Sequence, residues 1–186
     1  PCARPERAKA TVEALLEQDY PFDKYEIILV VQDKDAGSSV CGERVKCVVS
    51  GELYPPGRMR NIGAKAASGK YLFFIDDDCV PPVSWLRKMV DTVAGNARAG
   101  VVGCRLVSME KGFWGRCADY SLFFSYQYAE IMEGALGSAA IAVKKEAFDA
   151  VRGFDEVLLA SEDWDFCLKL KTCGWMSLFD PGVEVQ

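Results

Sequence analysis

Residues 60–82, RNIGAKAASGKYLFFIDDDCVPP, leave few folds open to this chain. A small-residue helix pattern runs into Gly69, followed by a short apolar strand, Tyr71–Ile75, and three consecutive carboxylates, Asp76, Asp77 and Asp78. So apolar a strand belongs in the centre of a sheet covered on both faces. Open α/β sheets bind ligands beyond the carboxyl ends of their strands, and the acidic cluster falls there. One or two aspartates ahead of Pro81-Pro82 would read as turn residues. Three in a row repel one another unless a cation neutralises them. The chain has no histidine, so the expected cation is Mg2+ or Mn2+, held by oxygen and keeping open positions for a diphosphate.

The rest of the chain alternates helices and strands. Ala8, Val12, Leu15 and Leu16 share one face of a helix over 5–18, which Asp19-Tyr20-Pro21 ends. Residues 26–31 (EIILVV) read as a buried strand and 46–49 as a short one. A helix over 58–68 is expected to stop at Gly69, and a second, carrying Leu86, Met89, Val90 and Val93, at Gly95. Strands follow at 99–107 and 138–143, then a short helix around Phe148 and Val151. A last helix runs from a Ser161 cap to Gly174, with Trp164, Cys167 and Leu168 on one apolar face and Phe166, Leu170 and Cys173 on another, which predicts that it is well buried. This order indicates one α/β domain over 1–186 with a mostly parallel, Rossmann-like sheet flanked by helices. Both ends read as cut points, with a first strand expected ahead of Pro1.

At 186 residues and half apolar, the chain can build a real core. Its net charge of −5 and lack of basic runs argue against nucleic acid as the main partner. No run of eighteen apolar residues predicts a membrane span. The eight cysteines contain no CxxC pair, only two CxxxxxC spacings, Cys41/Cys47 and Cys167/Cys173. These match no common zinc pattern, and their density falls short of a disulfide scaffold. A reduced interior is therefore expected, consistent with a cytoplasmic protein, peripheral to a membrane at most.

Three further groups carry possible chemistry. Asp33 and Asp35 follow the 26–31 strand; each alone would be a turn residue, but two strands ending in carboxylates suggest a shared crevice. Arg58, Arg60 and Asn61 open a helix and read equally as a phosphate-binding N-terminus or a solvated face. Glu162 and Asp163 stand in the first turn of the last helix, where acids complement the dipole; a carboxylate on a buried helix start could also serve as a general base. The aromatic stretch Phe113–Tyr128 is expected to pack in the core.

Together these residues resemble the family 2 inverting glycosyltransferases of GT-A fold. PCARPER is similar to the end of that family's first strand and start of its first helix, and EQDYPFDKYEIILVVQD to the second strand. GRMRNIGAKAASGKYLFFIDDD resembles the arginine-asparagine helix and the strand leading to the DxD signature. GALGSAAIAVKKEAFDAVRGFDEVLLASEDWDFCLKLKTCGW resembles the small-residue loop, the GFDE turn and the ED motif. The resemblance implies metal-dependent transfer of a sugar from a nucleotide-diphospho-sugar to a glycan, lipid-linked or other acceptor hydroxyl. It places Asp33 at the nucleotide base, and Arg60, Asp76 and Asp77 around the donor. It makes Asp76 and Asp78 the metal pair, Asp78 the direct ligand, and it gives Asp163 the base role with Glu162 beside it near the acceptor. Gln32 stands where the family usually has an acid and Cys79 where an acid often follows, a metal-contacting histidine is expected beyond Gln186, and the QxxRW motif is absent from this segment. These departures motivate the alternative, a catalytically silent glycan- or nucleotide-binding module of the same fold. A sugar-1-phosphate nucleotidyltransferase would need a glycine-rich loop after the first strand, and PCARPER has no glycine.

Overall fold

Helix α1 (Pro5–Leu16) buries Ala8 and Val12 of the face its apolar spacing predicts, with Thr11 beside them, and leaves Leu15 and Leu16 half-buried. The computed structural model describes residues 5–33, 40–52, 54–110, 112–122 and 136–186. Asp35, Cys2 and the later part of the aromatic stretch lie outside them. After a 3-10 turn at Phe22–Lys24, strand β1 (Ile27–Val31) pairs in parallel with β2 (Val45–Val49), Ile27 opposite Val45 and Val31 opposite Val49. Helix α2 (Pro56–Ala66) starts on a proline, whose fixed φ and missing N–H suit a first turn. It stops at Ala66 because Ala67 is extended, so Gly69 is not its cap.

Strand β3 (Tyr71–Ile75) leads to helix α3 (Trp85–Gly95), strand β4 (Ala99–Leu106) and helix α4 (Phe113–Leu122). Strand β5 (Ala140–Lys144), helices α5 (Lys145–Ala150) and α6 (Glu162–Thr172), and strand β6 (Met176–Val185) follow. The second sheet has the order β3-β5-β4-β6. Strand β5 runs antiparallel to both neighbours while β4 and β6 are parallel, so β3, β4 and β6 share one direction and β5 alone is reversed. The α/β fold with a mostly parallel sheet is as expected, and the reversed strand is its exception. Alternate residues of β4 and β5 feed two cores. Val101, Ile141 and Val143 meet Phe148, Phe154, Phe166 and Leu170 on one face; Val102, Ala140 and Ala142 meet Trp85, Met89 and Val93 of α3 on the other.

Strand β3 is not the doubly covered centre that its sequence suggests, since only Leu72 in it is fully buried; β5 is buried throughout. The reason is an open edge. β1 pairs on one side with β2, and β3 on one side with β5. The backbones of Ile27–Val30 and Tyr71–Ile75 then face a common apolar cavity of about 320 Å3, closed by α1, α2 and α3. Among the described residues no strand occupies it.

Several local expectations are corrected. Cys41 and Cys47 form a disulfide, against the expected reduced interior. The turn Gly42–Val45 folds β2 back and brings their Cα atoms within 5.8 Å, a proximity invisible in the spacing alone. Cys79, Cys104, Cys117, Cys167 and Cys173 are free. In α6 only one face is buried, with Phe166, Cys167 and Leu170 inside and Trp164 and Leu168 exposed. Phe113 and Trp114 of α4 are also exposed rather than packed in the core. Ser161 precedes α6 as predicted but makes no side-chain cap, because its φ of 64° is left-handed. Gly174 does stop α6: at φ 83° it donates to Lys171 O, and Trp175 N–H reaches back to Leu170 O. Among the described residues no helix is long and apolar enough to cross a membrane.

Candidate functional site

Three elements converge beyond the end of β3. Asp76 continues the strand by one bond, its N–H donating to Ala139 O at 2.8 Å, and the chain turns at once as Cys79 N–H donates to Asp76 O. From the first half of α2, buried Arg60 points at this turn. Its Nη2 donates to Asp76 Oδ1 at 2.8 Å and its Nη1 to Glu162 Oε1 at 2.6 Å. Glu162, the first residue of α6, is buried as well. One guanidinium thus faces two carboxylates from elements far apart in sequence, a charge-assisted arrangement that arginine's forked donors suit.

Asp163 sits beside this bridge and outside it. Its Oδ2 accepts the Ser138 N–H at 3.2 Å and its Oδ1 the Trp164 N–H at 2.8 Å. Ser138 and Ala139, just ahead of β5, therefore hold Asp163 and Asp76 through consecutive backbone groups. Sequence reading missed this role; the only signal was the small-residue run before β5, which lets the segment pass close to both acids. The structure brings together Arg60, Asp76, Glu162 and, through that segment, Asp163. Asp77 is half-buried, and its carbonyl accepts the Thr11 hydroxyl of α1 at 3.1 Å. Asp78 is exposed on the turn, and Asp33 is exposed two residues past β1. Arg58 lies 3.7 Å from Glu156 and over the Tyr54 ring, on the outer side of α2.

The electrostatics separate these acids. Burial raises the Asp76 pKa above the ordinary carboxylate value; the Asp78 charge adds to the rise and Arg60 opposes it. Burial, reinforced by Asp76 and Asp78, pushes the Cys79 thiol up to about 12. Cys79 is therefore a neutral thiol at physiological pH and no nucleophile. Among the described residues no group of three or more histidine, cysteine, aspartate or glutamate side chains is gathered to hold a metal. Asp76 and Asp78 are the carboxylates at the two ends of the turn after β3 that could serve as oxygen ligands to a hard cation.

Residues 2–138 match the glycosyl transferase family 2. The chain belongs to that family. Glycosyltransferase AglE of Haloferax volcanii is 24% identical over 184 residues, covering 94% of this chain and 60% of AglE. The pre-mycofactocin glycosyltransferase of Mycobacterium tuberculosis is 28% identical over 135 residues, covering 68% of this chain and 28% of the relative. Among solved structures, the mannosyltransferase PcManGT of Pyrobaculum calidifontis, in complex with GDP-Man and Mn2+, superposes with a TM-score of 0.75 at 17% identity. It covers 100% of this chain and 54% of its own. S. aureus TarS residues 1–349 in complex with UDP-GlcNAc gives a TM-score of 0.70 at 15% identity, covering 96% of this chain and 55% of TarS. This family 2 chain has the GT-A fold and spans 60% or less of these relatives' lengths.

Proposed function

We propose that this family 2 domain transfers a sugar, with inversion, from a nucleotide-diphospho-sugar to an acceptor hydroxyl of a glycan, lipid-linked or other substrate. The observation that carries this reading is the Arg60 bridge, which joins the acid ending β3 to the acid opening α6 and leaves Asp163 beside them outside any ion pair with Arg60. The donors named with the mannosyltransferase, GDP-Man, and with TarS, UDP-GlcNAc, support the substrate class.

Asp163 is the base in this reading. It takes the proton of the acceptor hydroxyl as that oxygen bonds to the anomeric carbon from the face opposite the diphosphate. The bond from the anomeric carbon to the diphosphate oxygen breaks, and the nucleoside diphosphate leaves with the electron pair. Arg60 holds Asp76 and Glu162 in place, with Asp77 and Asp33 at the donor. The turn acids fit a Mn2+ or Mg2+ ion: Asp78 would hold it directly with help from Asp76, and when bound it would offset negative charge growing on the departing diphosphate.

The test titrates UDP, GDP and dTDP, each with and without Mn2+, into the full-length protein. Tight binding of one of them only with Mn2+, lost in Asp78→Asn with the fold retained, is expected; no binding of any sinks the proposal. Binding without transfer or hydrolysis of the cognate nucleotide-sugar would favour the silent module that Gln32 suggests.

A further inference from the structure

Two consecutive residues of α2 hold the two ends of one segment. Arg60 anchors Glu162, as described. Asn61 anchors Phe154: its Oδ1 accepts the Phe154 N–H at 3.0 Å, and its Nδ2 donates to the Phe154 carbonyl at 2.9 Å and to Glu156 Oε1 at 3.1 Å. The side-chain amide thus pairs with both backbone groups of one residue, as a neighbouring strand would. The fit leaves no slack. A Cβ on Gly153, at φ 75°, would stand 2.6 Å from Asn61 Oδ1, and one on Gly57 would collide with the carbonyl of Asp155. Phe154 is itself pinned, its ring stacked on Phe166 of α6 at 4.4 Å between centroids. From there the chain is ordered by Asp155, whose Oδ1 accepts the Val157 and Leu158 N–H groups, and reaches Asp163 immediately after the Arg60 anchor.

We infer that Asn61 is a positioning residue for catalysis: by clamping Phe154 it fixes the entry of the 154–162 segment and so the placement of Asp163. The inference rests on Asp163 being the base. Asn61 therefore belongs neither to a phosphate site nor to a solvated face, the two roles its sequence neighbourhood suggested. Its loss leaves Asp76 and Asp78 untouched on the other side of Arg60, so donor binding and turnover separate.

The experiment compares full-length wild type, Asn61→Ala and Val93→Ala, the last a core truncation in α3 that lowers stability without touching this segment. All are assayed well below their melting temperatures. For Asn61→Ala the inference expects kcat to fall by about 10- to 100-fold, since small misplacements of reacting groups are costly, with nucleotide Kd within about twofold of wild type. It also expects faster amide hydrogen exchange over Val157–Asp163. Val93→Ala should melt lower with kcat and exchange in that segment unchanged. Wild-type kcat in Asn61→Ala, or exchange in that segment as slow as wild type, overturns the inference. A parallel drop in kcat and in nucleotide affinity overturns it too, because it would place Asn61 at the donor. Asp163→Asn is run alongside: if it keeps full turnover, the reading of the base fails; if it loses turnover while Asn61→Ala does not, only the positioning role fails.

Discussion

Arg60 Nη1 lies 2.6 Å from Glu162 Oε1, joining α2 to α6 across 102 residues of sequence with both side chains buried. The second arm of the guanidinium reaches Asp76, so a single cation sits between the two acids that the ends of β3 and of the intervening segment deliver. Neither acid is placed by its own element alone.

Removing the shared cation should therefore cost more than removing one of its partners. Arg60→Ala leaves two acids facing each other without a counter-charge and is expected to lower unfolding free energy by about 3–5 kcal/mol. Glu162→Gln keeps Arg60 paired with Asp76 and should lose about 1.5–3 kcal/mol, the worth of one charge-assisted bond. Urea denaturation of both variants decides the order. A larger loss in Glu162→Gln than in Arg60→Ala would contradict the bridge.

Asp163→Asn distinguishes a base from a helix-start residue. The amide still accepts through its oxygen but takes no proton, so turnover should drop by about 10²–10⁴-fold with nucleotide affinity near wild type. If Asp163 only complements the α6 dipole, the loss appears instead as about 0.3–1 kcal/mol of stability with turnover kept. A transfer assay and a melting curve on the one variant separate these outcomes.

Asp76 should leave a signature in the pH dependence of stability. Burial raises its folded pKa above the ordinary value of 3.8, so the folded state holds this proton more tightly than the unfolded chain. The contribution is then fully present below 3.8 and is lost as pH rises through the raised folded value. In metal-free buffer, wild type should lose stability relative to Asp76→Asn across that window and hold a constant difference above it. Denaturation midpoints measured every half unit from pH 3 to about 7 would show a flat difference if the burial argument were wrong.

Two glycines test the contact between α2 and the 153–156 turn, and a third away from it serves as control. Gly153→Ala puts a side chain on a left-handed backbone against Asn61, and Gly57→Ala drives one into the Asp155 carbonyl. Each should cost about 1–3 kcal/mol. Gly95→Ala ends α3 with nothing within 4 Å of the new Cβ and should gain about 0.4–1 kcal/mol. Thermal melts that rank all three alike would argue against the close approach.

Much of this architecture was written locally. The span of β3, Tyr71–Ile75, was read residue for residue, because an apolar run bounded by Lys70 and Asp76 is a signal complete within itself. The stop of α6 at Gly174 was equally legible, since a left-handed residue just past a helix end favours glycine. The acids at the strand and helix ends were visible for the same reason. Pairing was not. Arg60 finds its partners 16 and 102 residues away, and nothing within a helical turn of it names either. Tertiary packing alone decided that β5 runs against its neighbours, that Gly42–Val45 returns Cys47 to Cys41, and that Trp164 and Leu168 face outward from a helix whose two apolar stripes looked alike. Periodicity encodes which residues share a face. Which face meets the sheet, and which charges meet there, depends on elements brought together only when the chain has closed on itself.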